Sequence, residues 1–396
     1  MEQRLNFLQQ YQRGASLFCQ LIVSLLVVLS FQAQATLCGP WAPDDSDSVI
    51  VPLIGSGTIT AGNDLPIGAT LYRLYYKPKL IRRGWLCKPE DGVPNAMQYT
   101  GYIKAEAITM PFGPPTNVQI SGDGTHSVFP TNVPGIGYIL SPGSNTIGNG
   151  IYPYLDEINN NLSSGSGGYS VDVSNIVIRL VKTGPIPSSA QVLASSFPTI
   201  QFSEGGILPT KYEHIFLTIG FSGTLNVVNG TCLVEQPDVS VSLGTHDFSN
   251  FTKVGSATKW QDFKITLKDC SPFYGSYPNP SDLGYSAVDG IISNKAPIPN
   301  QIKLALTAVY GSDERRKVAY LDGEEGSAVG IGVQITRQDI SAAYPLTGTS
   351  WPVPIQLSQV DGASYDVLLK ARYYQYQETI QAGKANTSVV YTISYH

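Results

Sequence analysis

Hydrophobic and polar residues alternate most clearly at the C-terminal end of the chain. There, serine or threonine separates large apolar side chains, and Val390 is the one exception. The apolar positions of this tail are Val389, Tyr391, Ile393 and Tyr395. The period of two predicts a half-buried β-strand. No later strand of the chain follows it, so we expect a partner to cover the edge that it leaves open.

Shorter runs of aliphatic, aromatic and β-branched residues recur along the chain and predict further short strands. Turns rich in Gly, Pro, Ser and Asn separate these runs. In the first part of the chain they cover residues 49–51, 58–60, 69–76, 99–108, 118–120, 176–181 and 215–228. In the second part they cover residues 239–244, 263–270, 328–335 and 367–373. No long amphipathic helix is evident, so the expected fold class is all-β.

The composition also favours many short strands joined by turns. Of the 396 residues, 39 are Gly, 27 are Pro and 23 are Tyr, whereas only 14% are charged. A chain of this length suggests two domains. The net charge of −5 provides no general attraction for polyphosphates, so nucleic acid is not an expected partner.

Residues 1–35 have the pattern of a secretory signal peptide. Arg4 and Arg13 precede an apolar run at residues 21–29, and Ala33-Gln34-Ala35 supplies a cleavage site. The apolar run is much shorter than the about 20 residues that a membrane-spanning helix needs. We therefore expect residues 36–396 to be exported.

Four cysteines remain once Cys19 has been removed with the signal peptide. Cys38, Cys87, Cys232 and Cys270 allow three connectivities. The pairs Cys38–Cys87 and Cys232–Cys270 are predicted because each closes a loop inside one expected domain. Each bridge is worth roughly 4 kcal/mol by loop entropy. No C-x-x-C motif occurs, which argues against a redox or thiolate zinc site.

Several motifs follow Cys232 in order. They are V-x-L-G at 241–244, F-x-I-x-L-x-x-C at 263–270, A-x-G-x-G-x-Q-I at 328–335 and L-x-A-R-Y at 369–373. In the tail, Gly383 is the fourteenth residue from the end and Tyr395 is the penultimate one. Over residues 232–396 this combination resembles the pilin subunits that bacteria assemble through the chaperone–usher pathway. His396 is a departure from the usual last residue.

The resemblance implies an immunoglobulin-like sandwich that lacks its last strand. A periplasmic pilus chaperone, and later the next pilus subunit, would supply that strand by β-augmentation. The tail residues implied to line the donor-strand site are Gly383, Val389, Tyr391, Ile393, Tyr395 and His396. For the tail alone, an ordinary last strand of a closed sandwich is the alternative. Residues 271–300 exceed a usual pilin connection in length and are expected to form a surface insertion.

The first part of the chain resembles the adhesin domains of fimbrial tips, particularly those of type 3 fimbriae. Its matching segments are D-L-P-I-G at 64–68, T-N-V-P-G-I-G at 131–137 and L-V-K-T-G at 180–184. We therefore expect two immunoglobulin-like or jelly-roll β-sandwich domains, an adhesin domain at 36–228 and an incomplete pilin domain at 229–396. The first should close without a donor strand and fold alone.

Catalytic, metal and cofactor sites are not expected. None of the four histidines lies within a metal-ligand spacing of another, and neither H-E-x-x-H nor G-x-S-x-G occurs. For ligand contact the candidates are Trp41, Arg83, Trp85, Asp91, Asp123 and His126. Tryptophan faces with arginine suit a sugar or a protein hot spot, and packing of Trp41 and Trp85 around the disulfide is the alternative. For Asp91, Asp123 and His126, ordinary loop polarity is the alternative.

The leading hypothesis is a fimbrial tip adhesin, exported through the periplasm and displayed at the cell surface. It would bind a host glycan or an extracellular-matrix protein through residues 36–228. Its expected partners are the periplasmic chaperone, the outer-membrane usher and the next subunit. A secreted β-sandwich carbohydrate-binding module or hydrolase outside any pilus is the alternative. A shaft pilin is disfavoured because only Thr36 and Leu37 would precede Cys38, too few for a donor segment.

Overall fold

The strand pattern predicted from the sequence is confirmed, except at residues 239–244, in a computed structural model of the chain. The structure describes residues 37–40, 46–79, 82–88, 97–142, 154–162, 167–172, 175–206 and 212–396. The predicted signal peptide, Trp41 and Asp91 lie outside the described residues. For Cys38, Arg83, Trp85 and Cys87 the description is limited to the backbone.

Among the described residues of the first part of the chain there are sixteen strands. They are β1 (Leu37–Pro40), β2 (Asp47–Pro52), β3 (Thr58–Thr60), β4 (Thr70–Lys77), β5 (Arg82–Lys88), β6 (Met97–Ala107), β7 (Thr116–Ile120), β8 (Gly124–Pro130), β9 (Ile136–Pro142), β10 (Tyr154–Leu162), β11 (Gly167–Asp172), β12 (Ile176–Lys182), β13 (Ser189–Leu193), β14 (Ile200–Gly206), β15 (Tyr212–Ser222) and β16 (Thr224–Val228).

The second part of the chain contributes shorter strands and two long ones. They are β17 (Leu233–Val234), β18 (Gln261–Cys270), β19 (Leu283–Ser286), β20 (Ile292–Asn294), β21 (Ile302–Ala308), β22 (Ser312–Asp313), β23 (Val318–Ala319), β24 (Ile331–Arg337), β25 (Thr347–Pro352), β26 (Ala363–Gln375) and β27 (Val389–Tyr395). The helical elements of the described residues are two short 3-10 turns, Ala194–Ser196 and Phe248–Asn250. None of the described residues forms a helix able to cross a membrane.

The first hydrophobic core lies between two sheets. One has the strand order β10-β6-β14-β15-β2, and the other β20-β19-β4-β12-β9-β8-β7. Alternate residues of facing strands point inward, as in β4, where Leu74 and Tyr76 are fully buried. Aromatic rings fill the centre, where Tyr138 stacks on Phe197 with ring centroids 4.6 Å apart. Two smaller sheets, β1-β5-β11 and β13-β16-β3, complete this part.

The second core lies between the sheet β17-β18-β26-β24-β23-β22 and the sheet β25-β21-β27. Leu267, Leu304 and Leu369, from three different strands, are fully buried there. The predicted disulfide Cys232–Cys270 is present and ties the start of this part to the end of β18. For the other predicted pair, the register of β1 and β5 places Cys38 opposite Cys87. That bridge stays a prediction.

Residues 271–300 form an insertion that lies only in part at the surface. Strand β19 pairs in parallel with β4, and β20 pairs with β19, so the insertion extends a sheet of the first core. Tyr277 and Leu283 are each only 1% exposed and belong to that core. The prediction failed for part of the segment because Tyr277 and Leu283 pack against strands far away in the sequence.

Candidate functional site

The C-terminal strand β27 is paired along one edge only. It runs antiparallel to β21, with Tyr395 opposite Ile302 and Val389 opposite Ala308. The backbone of His396 exchanges two hydrogen bonds with Gln301. Because antiparallel pairs alternate, the amides of residues 390, 392 and 394 face β21 in the same way. The amides of residues 389, 391 and 393 therefore point to the open edge, and no described residue accepts from them.

Burial along β27 follows the predicted alternation. Val389, Tyr391 and Ile393 are half-buried and pack against the second core, and Tyr395 is buried. Val390 and Thr392 are exposed. The side chains expected to face inward do so, and the open edge carries a row of unpaired backbone groups beside them.

Residues 238–244 show strand alternation without belonging to any sheet. Val239 and Val241 are half-buried, Leu243 is buried, and the serines between them are exposed. The sequence predicted a strand here, and no β-pairing joins it to another described residue. The periodic pattern is therefore present, but the neighbouring strand that would pair with it is missing.

An open groove of about 1320 Å³ separates residues 238–244 from the tail. Its floor is formed by apolar side chains of β18, β24 and β26, among them Ile265, Val333 and Leu369. The Tyr391 hydroxyl crosses one end of the groove and donates to the Pro237 carbonyl over 2.8 Å. A groove with an apolar floor and unpaired backbone on its rims has the features of an acceptor site for an extended strand.

Gly383 is the glycine that lines this groove beside the tail. A Cβ at this position would lie 2.4 Å from the carbonyl oxygen of Gly326 and 2.5 Å from the amide nitrogen of Ala328. The adjacent Lys384 exchanges backbone hydrogen bonds with Gly326 and Ala328. The close approach of these two backbones explains why glycine is needed, and Gly383 serves as a packing residue at the rim.

Tyr395 closes the far end of the tail. Its ring stacks on Phe273, with centroids 5.5 Å apart, and its amide donates to the Asp64 carboxylate. Burial, with a smaller contribution from Asp64, raises the pKa of the Tyr395 hydroxyl to about 12. Burial and the nearby Lys303 lower the pKa of the His396 side chain. The penultimate tyrosine thus joins the tail to the first part of the chain.

The three adhesin-like motifs meet at this same junction. Lys182 donates through its side chain to the carbonyls of Gly62, Asn63 and Leu65, which surround Asp64. Thr183 donates through its backbone to Gly135 over 2.8 Å. These contacts show that the motifs at 64–68, 131–137 and 180–184 hold one turn region together.

Asp123 and His126 belong to a second cluster, under the β7–β8 hairpin. Arg179 donates to the Asp123 carboxylate, and its other terminal nitrogen lies 3.3 Å from His126 Nδ1. Arg179 and His126 are buried, whereas half of the Asp123 side chain is exposed. Burial acts to raise the Asp123 pKa, but the hydrogen bond and charge of Arg179 outweigh it and lower that pKa.

Sequence reasoning missed Arg179, although the signal was visible. It is one of two charged residues, with Lys182, in the run Ile176–Lys182, in which every residue is buried. A buried arginine needs a charged partner, and Asp123 is that partner. Arg83 and Trp85 lie instead on β5 of another sheet. Ligand contact by Arg83, Trp85, Asp123 and His126 stays a prediction. The described part of the chain holds no group of three or more potential metal ligands.

Asp123→Asn should lower the free energy of unfolding at neutral pH by about 2 kcal/mol, because the Arg179 charge would stay buried without its counter-ion. Since the pKa of Asp123 is lowered on folding, the pair stabilises the protein above pH about 4. That contribution is lost as pH falls through the lower native value. Denaturation at pH 7 and pH 3 should therefore show a difference between variant and wild type that shrinks at pH 3. Asp361→Asn, at an exposed turn, is the control. An unchanged stability at pH 7 would contradict the role of the pair.

Comparison with known proteins finds similarity in the second part of the chain. Residues 219–396 match the family model described as "Fimbrial protein". The fimbrial subunit type 1 of Salmonella typhimurium is 26% identical over 189 residues, which cover 47% of this chain and 86% of that protein. The type-1 fimbrial protein subunit of Serratia marcescens is 25% identical over 185 residues, which cover 45% and 86%.

Among solved structures, the CupB6 tip adhesin from Pseudomonas aeruginosa is 16% identical with a TM-score of 0.33. That match covers 91% of this chain and 95% of the other. The predicted resemblance to chaperone–usher fimbrial subunits is confirmed by the match of the family model and of the curated subunits. Residues 219–396 of the chain are thus similar to fimbrial subunits.

Proposed function

We propose that this protein is the tip adhesin of a chaperone–usher fimbria and that its groove accepts a donor strand. The observation that carries the proposal is the pair of unpaired rims, β27 on one side and residues 238–244 on the other. Both rims have one buried face, and the groove floor between them is apolar. This arrangement supports a sandwich that is completed by a strand from another chain.

A donor strand laid in the groove would satisfy both rims at once. Its backbone would pair with the outward amides of residues 389, 391 and 393, and alternate side chains would enter the groove. Each large apolar side chain buried there contributes about 1.5–3 kcal/mol. The chaperone would supply this strand in the periplasm, and the next subunit would supply it after passage through the usher.

Receptor binding is assigned to the first part of the chain, residues 36–228. The family match covers only the last ten of these residues. The similarity to fimbrial subunits therefore leaves the role of the first part unassigned. A host glycan or a matrix protein is the proposed receptor, with Trp41, Arg83, Trp85 and Asp91 as contacts to test. The alternative of a secreted module or hydrolase without a pilus is disfavoured by the fimbrial match.

The test is capture of the full chain by the chaperone of its own pathway. When co-expressed in the periplasm, the two should purify as a soluble one-to-one complex. Without the chaperone, most of the chain should aggregate or be degraded in the cell, because the groove and its rims stay exposed, and the soluble remainder should bind chaperone when it is added. A full chain recovered as a stable monomer in the absence of chaperone, and unable to bind it when added, would contradict the proposal.

A further inference from the structure

Residues 271–300 complete a sheet to which the rest of the second part does not belong. Strand β19 pairs with β4 from Leu283 opposite Leu74 to Ser286 opposite Lys77. The Tyr285 ring stacks on Tyr76, with centroids 5.8 Å apart. Beyond the strand, the backbone amide of Ala287 donates to the Lys77 carbonyl over 2.9 Å. The edge of β4 that faces away from β12 is therefore covered by a segment from the second part of the chain.

Tyr277 is the deepest contact of this segment. It meets the Tyr72 ring edge-on, with centroids 6.2 Å apart, and its hydroxyl accepts a hydrogen bond from the Ser56 amide over 2.9 Å. A Cβ on Gly55 would lie 3.2 Å from the Tyr277 ring, and the φ of Gly55 is +122°. The absence of a side chain at Gly55 thus leaves room in the first part of the chain for the Tyr277 ring.

The same segment contacts both Thr60 of β3 and the C-terminal end of β27. Thr60 donates through its amide to the Gly275 carbonyl over 2.8 Å, and the Tyr274 amide donates to the Thr60 hydroxyl over 2.7 Å. Immediately before them, Phe273 stacks on Tyr395. A few consecutive residues therefore join the first core to the end of β27.

We propose that residues 271–300 act as an intramolecular strand donor, so that residues 36–228 are not an independent folding unit. Without this donor, β4 would become an unpaired edge in the sheet that contains β12 and β9. The buried rings of Tyr72 and Tyr76 would also lose the aromatic side chains that cover them. This inference replaces the expectation that residues 36–228 fold alone. It does not depend on the identity of a receptor or on donor-strand exchange.

The experiment uses the full chain with Leu283→Asp and, as the matched control, Ile291→Asp. Leu283 is 1% exposed and Ile291 is 57% exposed, and both lie in the same segment. Amide hydrogen exchange is measured strand by strand. In Leu283→Asp we expect exchange to rise at least tenfold in β4 and also in β12, which the insertion does not pair with. The amides of β26 and the control variant should stay at wild-type rates.

A milder variant keeps the test decisive if Leu283→Asp does not fold. Leu283→Ala removes side-chain volume without burying a charge, and it should raise exchange in β4 and β12 together by several-fold. Exchange that is unchanged in both variants, or that rises only in β19 and β20, would overturn the proposal. In that case the first core is stable without its strand donor, and the insertion is only attached to it.

Discussion

Tyr391→Asp should weaken capture of the full chain by its chaperone at least 100-fold, which corresponds to about 2.7 kcal/mol. Tyr391 is half-buried on β27, lines the groove and belongs to the second core. An aspartate in its place would put a charge among apolar side chains and lose the hydrogen bond to Pro237. A donor strand covering that charge would have to strip it of water.

Thr392→Asp is the matched control for this prediction. Thr392 is the next residue of the same strand and its side chain is exposed, so the added charge would stay in water. Capture of this variant should equal that of wild type. Both variants should keep the Cys232–Cys270 bridge, as a check that the domain has formed. Equal affinity of the two variants for the chaperone would contradict the assignment of the groove.

Replacing Cys232 and Cys270 together by serine should lower the free energy of unfolding by about 4 kcal/mol. The bridge closes a loop of 38 residues, and the unfolded chain gains the conformational freedom that this closure removes. Cys270 is fully buried at the end of β18, directly before the insertion. The bridge therefore lies where the two parts of the chain meet.

Denaturant unfolding of the chaperone-bound chain, followed through the tryptophans, measures this loss. Trp260 reports on the second part of the chain because Arg372 lies over its ring at 4.2 Å. Wild type treated with a reductant should lose at least as much stability as the double variant, because the predicted Cys38–Cys87 bridge would be reduced as well. A stability within about 1 kcal/mol of wild type in both would mean that the bridge constrains little in the unfolded state.

Local periodicity explains what could be predicted from the sequence. The alternation of Val389, Tyr391, Ile393 and Tyr395 sets the face of β27, because successive side chains of a strand point to opposite sides. The all-β class and the Cys232–Cys270 pair are confirmed for similar reasons, since both follow from patterns within one part of the chain.

Contacts between distant residues explain what the sequence did not reveal. Nothing local to Leu283 indicates that it lies opposite Leu74, so the insertion was expected at the surface. At 239–244 the pattern is that of a strand, but strand formation also needs a neighbour, and none is present. Arg179 stands in an apolar run, and its role depends on Asp123, 56 positions away. The Gly122-Asp123-Gly124 turn is visible in the sequence, but its proximity to Arg179 is not.

The central claim is that a strand from another chain fills the groove between β27 and residues 238–244. Hydrogen exchange of the full chain, alone and with the chaperone bound, tests it most directly. We expect the amides of Val389, Tyr391 and Ile393 to exchange freely in the unbound chain and to become protected in the complex. The amides of residues 390, 392 and 394, already paired with β21, should change much less. Protection that appears elsewhere while Val389, Tyr391 and Ile393 stay unprotected would contradict the claim.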